Sequence, residues 1–175
     1  VADYDQVTSQ TVFNPESRES MKLEDLIRLY PGLAEILSAA QNDTSCRDTV
    51  KDFVEKAISF AEEHGEILDI VGDDNVIFTQ GKNGEWDYKL VDALFPAPPP
   101  PNGRLSEAKD ILEKIQNDQL ISERERRSLI NTLNFTRAIN GLASCLEVDN
   151  RIDITPPENV PIPTGTLLET VRGQT

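Results

Sequence analysis

Histidine occurs once in the 175 residues and cysteine twice, as Cys46 and Cys145. Neither cysteine stands in a Cys-x-x-Cys pair, and His64 alone cannot complete a common zinc set. A structural zinc is therefore not expected. One disulfide and two separate thiols both remain open, with two buried thiols the expectation. Basic residues are also scarce: 17 Lys and Arg face 31 Asp and Glu, for a net charge of −14. A nucleic-acid binder carries a basic patch, and an electrostatically held membrane protein carries a polybasic cluster. Neither partner class is expected. No apolar run approaches the ~20 residues that span a bilayer. No basic-then-apolar leader opens the sequence at Val1, which says little about the gene product. Location is left open, with the cytoplasm favoured. Hydrophobic residues make up only 38%. A chain of this length nevertheless buries about two thirds of the surface its unfolded form exposes, so no staple is required.

The residues that are present divide the chain into an arm, a body and a tail. Residues 1–20 are polar and read as an extended arm. Leu23, Leu26, Ile27 and Tyr30 then make one helical face, with Ser20 as cap and Glu24 and Asp25 in the first turn. Pro31-Gly32 interrupts it, and Leu33, Ile36 and Leu37 continue a second short helix to about Ala40. Ser45 and Asp48 resemble a capping box in its Asp variant. The helix beyond them places Val50, Phe53, Val54, Ala57, Ile58 and Ala61 on one side and ends at His64-Gly65.

The periodicity then changes. Val76–Thr79 and Trp86–Val91 alternate as two strands around the Gly81-Lys82-Asn83-Gly84 turn. Trp86 is expected to anchor this hairpin, residues 76–91, to the helices. Residues 96–101 carry a run of prolines that predicts a stiff, extended connector. It could serve a proline-recognising module, although a surface spacer is the commoner use. Helices are expected from Leu105 to about Asn117 and from Ser122, with Glu125 three residues on, to about Ala143. Residues 148–175 form a proline-containing tail. The fold class is α+β, mainly helical, with its body over residues 21–147. A lone hairpin is marginal without packing, so it must lie on the helices or against strands outside this chain.

One segment carries candidate chemistry. Asp69 ends an apolar run, Asn75 stands just before the first strand, and Asp92 just after the second. A hairpin brings its two ends together, so Asn75 and Asp92 are expected to be neighbours. A carboxylate and an amide oxygen are hard ligands suited to Mg²⁺, which keeps waters and phosphate oxygens on its other positions. Asp69 is placed to orient or deprotonate a hydroxyl. The same residues are also ordinary turn formers, and both readings stand at this point.

Residues 64–95 resemble the catalytic core of the protein-kinase-like superfamily, and most of all its bacterial aminoglycoside-phosphotransferase-like branch. Leu68-Asp69-Ile70-Val71-Gly72-Asp73-Asp74-Asn75 looks like the catalytic loop, and Lys89-Leu90-Val91-Asp92 like the strand before the second metal ligand. More broadly, residues 20–146 are similar to a kinase-like C-terminal lobe. The interval from Asp69 to Asn75 is one residue longer than usual, no His-Arg-Asp triplet stands at Asp69, and Ala93-Leu94 follows Asp92. The resemblance implies a catalytic role for Asp69, Mg²⁺ ligation by Asn75 and Asp92, and ATP as phosphate donor to an unknown acceptor. The strand-rich nucleotide lobe of that family has no counterpart in residues 1–20. A missing N-terminal lobe or a partner protein is therefore implied. The alternative is a non-catalytic protein-interaction module or a degenerate kinase-like scaffold.

Overall fold

The computed structural model describes residues 24, 26, 27, 33–70, 75–95 and 98–154. The expected arm (1–20), Asp73, Asp74 and the tail beyond 154 lie outside the described residues. So does most of the first expected helix, of which Glu24, Leu26 and Ile27 are helical and Leu26 is fully buried. Among the described residues the domain is mainly helical, with four long helices and one small antiparallel hairpin.

Helix α1 spans Ala34–Asn42 and α2 spans Thr44–His64, with Asp43 alone between them. The two helices pack together, α1 burying Ile36, Leu37 and Ala40 and α2 burying a stripe that includes Cys46, Val50, Phe53, Val54 and Ala57. The cap of α2 differs from the expected Ser45–Asp48 box. Asp43 is extended, with φ −128° and ψ 110°, and its carboxylate accepts the Cys46 N–H at 3.1 Å. Ser45 already lies within the first helical turn, where its backbone cannot serve as N-cap. At the other end, Gly65 takes the left-handed conformation (φ 68°) and its N–H bonds to Ala61.

Strands β1 (Val76–Gln80) and β2 (Trp86–Leu90) pair in the register Val76↔Leu90, Phe78↔Tyr88 and Gln80↔Trp86. Alternation puts Val76, Phe78, Trp86 and Tyr88 on the half-buried face. That face lies on α2 through Phe53, whose ring meets Phe78 edge-on at 5.8 Å and Tyr88 at 5.2 Å. The Trp86 indole N–H donates to the Asp43 carboxylate at 2.9 Å. The hairpin is thus fixed to the helical body by its own side chains, with Trp86 as one anchor.

Helix α3 (Arg104–Gln116) and helix α4 (Glu123–Cys145) form a second antiparallel pair. Ser122 and Glu125 make the expected capping box at the start of α4. Arg124 bonds Glu107 at 2.6 Å, the Ser128 hydroxyl donates to Glu107 at 2.7 Å, and Lys114 pairs with Glu125. Every residue from Phe135 to Ala143 is buried, so α4 is the central helix rather than a surface one. Its buried Asn140 brackets the chain beyond, accepting the Ile152 N–H at 2.9 Å and donating to the Ile152 carbonyl at 3.0 Å. Val148, Ile152 and Ile154 are buried there, so the start of the expected tail is part of the core.

Cys46 and Cys145 do not form a disulfide; Cys46 is buried, Cys145 only half-buried, and burial pushes the Cys46 thiol above its ordinary pKa. No helix among the described residues is long and apolar enough to cross a membrane.

Candidate functional site

The chain leaves α2 at Gly65 and runs as Ile67-Leu68-Asp69-Ile70, with Ile67, Leu68 and Ile70 buried. Apolar residues on both sides of Asp69 hold its backbone in place while its side chain stays half-exposed. The Ile70 N–H bonds to the Leu68 carbonyl at 3.1 Å, closing a γ-turn centred on Asp69. The Asp69 N–H donates to the Ala93 carbonyl at 2.8 Å. Residue 69 is therefore pinned beside the turn that follows β2.

Asn75 closes the same region from the other side. It is only 8% exposed. Its Nδ2 donates to the Asp69 carbonyl at 2.8 Å, and its own carbonyl accepts the Val91 N–H at 3.0 Å. Burying an amide is tolerable only when its donors and acceptors find partners. Here that requirement fixes the amide's orientation and ties Asn75 to Asp69. An amide nitrogen is no ligand for a hard cation, so Oδ1 is the atom Asn75 could offer one.

Asp92 is exposed, between Val91, bonded to Asn75, and Ala93, bonded to Asp69. Asp69, Asn75 and Asp92 thus converge in the backbone at one end of the hairpin. All three offer hard oxygen atoms, which suits Mg²⁺ chemically. No group of three or more His, Cys, Asp or Glu able to hold a metal occurs among the described residues.

A groove that the sequence did not single out opens beside this turn. It measures about 550 Å³ and runs between α2 and the end of β2. Phe53, Phe60, Leu68, Tyr88, Leu90 and Leu94 supply its apolar walls. Leu90, Val91 and Leu94 are 48%, 62% and 73% exposed, a concentration of apolar surface at its rim. Lys56 is the charged residue lining it, and its ammonium bonds Asp52 at 2.8 Å. That carboxylate holds the ammonium protonated above its usual range and also accepts the Tyr88 hydroxyl at 3.3 Å. Burial raises the Tyr88 phenol, which stays neutral at ordinary pH. The sequence signal for the groove is Leu90 itself, which continues the inward alternation of β2 but has little over it.

His64 is exposed at the end of α2, with its ring 4.9 Å from Phe60. This is the helix-end position that the sequence suggested. No family model matches the chain, and neither a curated protein nor a solved structure does so.

Proposed function

We propose that this chain is a kinase-like phosphotransferase, or the C-terminal catalytic lobe of one, using ATP as phosphate donor. The observation that carries the reading is the double tie of Asn75, to the Asp69 carbonyl and to the Val91 N–H. It ties Asn75 to Asp69 and to Val91, the chain neighbour of Asp92, and supports the reading because these are the residue types that phosphoryl transfer needs for positioning and charge neutralisation. In this reading Asp69 accepts the proton of the acceptor hydroxyl as its oxygen attacks the γ-phosphorus. The bond to the β-bridging oxygen breaks and ADP departs. Asn75 Oδ1 and the Asp92 carboxylate would hold Mg²⁺, which supplies neutralisation of phosphate charge when bound.

The chemistry demands further cations, because Asp69 and Asp92 by themselves repel a triphosphate. Lys82 sits at the exposed hairpin tip, Lys89 faces away from α2, and Lys56 is paired with Asp52. A missing N-terminal lobe or a partner would supply the balancing charge. A cytoplasmic location, where ATP is available, accompanies the proposal. A second reading, a non-catalytic interaction scaffold, is favoured by the exposed apolar rim at Leu90, Val91 and Leu94.

Calorimetric titration of the full-length protein with ATP, with and without Mg²⁺, separates the two. The enzyme reading expects Mg²⁺-dependent binding that weakens about tenfold or more in Asp92→Asn, with the helical circular dichroism unchanged. Absence of any nucleotide binding, or binding indifferent to Asp92, overturns it in favour of the scaffold.

A further inference from the structure

The flanks of the proline tract are tied together. The Arg104 guanidinium lies 5.2 Å from the centre of the Phe95 ring, so the two flanks of residues 96–103 meet. The return end is bolted to the turn after α2. Arg104 bonds the Glu66 carboxylate through its guanidinium at 2.5 Å and through its backbone N–H at 3.2 Å. The Leu105 N–H donates to the Gly65 carbonyl at 2.9 Å. Gly103 (φ 82°) crosses so close to Gly65 that a Cβ there would lie 2.5 Å from the Gly65 oxygen. The base of the loop is therefore immobilised by a largely buried ion pair and a backbone crossing.

The tip is stiff for a separate reason. Each of Pro98, Pro99 and Pro100 has φ fixed by its own ring and is barred from the helical region by the proline that follows. This leaves polyproline II as the conformation open to them. The run stops at a β-turn, in which the Gly103 N–H donates to the Pro100 carbonyl at 3.0 Å and Pro101 takes the second position. Pro98, Pro99 and Pro101 are exposed, and Pro100 is half-buried.

We propose that this loop is a docking site for a protein domain with an aromatic-lined groove that reads consecutive prolines. A bolted base and a rigid tip remove most of the ordering cost that a flexible proline-rich segment meets on binding. The charge around the tract narrows the partner. Between Asp92 and Glu107 the only cation is Arg104, and Glu66 and Phe95 occupy it. The partner is therefore of the kind that grips proline rings against aromatic side chains without anchoring a flanking Arg or Lys.

The test titrates the full-length protein against purified proline-recognition domains of the WW, SH3 and EVH1 kinds, with anisotropy as readout. Saturable binding by a WW- or EVH1-type domain, competed away by a decaproline peptide, is expected. The double variant Pro98→Ala/Pro99→Ala should weaken it about tenfold or more. These residues make none of the loop-base bonds, so the fold should persist, with the thermal midpoint lowered by only a few degrees through the extra freedom of the unfolded chain. Failure of every domain to bind, binding that decaproline does not displace, or binding indifferent to the double variant overturns the proposal. A preference for SH3 domains with an acidic anchor pocket overturns the partner class. The substituted residues lie outside the Asp69–Asn75–Asp92 turn, so either outcome leaves the nucleotide test unaffected.

Discussion

Asp43 joins two elements with one side chain. Its Oδ1 accepts the Cys46 N–H to cap α2, and its Oδ2 accepts the Trp86 indole N–H. The Trp86 bond, followed by the Cys46 bond, holds the carboxyl below its usual pKa. A depressed carboxylate pKa adds stability above the ordinary carboxylate range, and that stability is lost as pH falls through the folded-state value. Asp43→Asn offers one acceptor where two are needed. It should lower the thermal midpoint by a few degrees at neutral pH and red-shift the emission of the single tryptophan. The difference from the parent should shrink on acidification, and fluorescence-monitored melting across pH checks both effects. Glu125 presents the same physics between α3 and α4. Lys114, then the Ser122 N–H, brings its carboxyl from 4.5 down to about 2. The stabilisation is complete above the ordinary value and disappears as pH falls through that interval. The Lys114 side chain is 42% exposed, so water screens much of the attraction. Glu125→Gln should cost about 1 kcal/mol near neutral pH and nearly nothing at the acid end, measured by urea unfolding.

Between elements, Phe53 is the joint on which the hairpin rests, nearly buried between Phe78 and Tyr88. A two-stranded hairpin is marginally stable at best on its own. Phe53→Ala should therefore cost about 3–5 kcal/mol and strip amide-exchange protection from residues 76–90 before α4 loses any. Loss of protection in both at once would show that the hairpin and helices unfold as one unit. The helices were legible because they repeat a local rule. Buried positions of α2 recur every three or four residues, and Ser122-x-x-Glu125 states the start of α4 outright. The start of α2 was not legible: the sequence pattern points to Ser45–Asp48, whereas Asp43 is the residue that caps the helix. Asp43 is also engaged by Trp86, a contact that spans 43 residues. At the candidate site, hairpin geometry made it readable that the residue before β1 lies near the end of β2, but the sequence named Asp92 as the neighbour of Asn75, whereas the residue bonded to it is Val91. The Asn75 amide bond to the Asp69 carbonyl reaches back six residues to the end of another segment, which no spacing rule specifies. The groove escaped notice because alternation assigns Leu90 an inward face without saying whether anything covers it. The closed proline loop escaped because Arg104 meeting Phe95 is a tertiary contact between two residues that look unrelated in sequence.

For the whole molecule the dominant electrostatic fact is the charge of −14. Local pairs are too weak to offset it. Lys56–Asp52 and Arg127–Glu123 are exposed at both partners, and such pairs contribute about 0–1 kcal/mol each. Arg104–Glu66 is better shielded and responds little to salt. Unbalanced carboxylates instead repel one another across the surface and favour the expanded chain. Screening should therefore stabilise the fold. The thermal midpoint is expected to rise between about 0.01 and 0.5 M NaCl, with most of the rise below about 0.15 M, where the screening length contracts most in absolute terms, from roughly 30 Å to 8 Å. A midpoint that falls over that interval would mean the surface ion pairs outweigh the repulsion. A rise confined to high salt would point to exclusion of salt from the protein surface, which strengthens burial whatever the sign of the net charge.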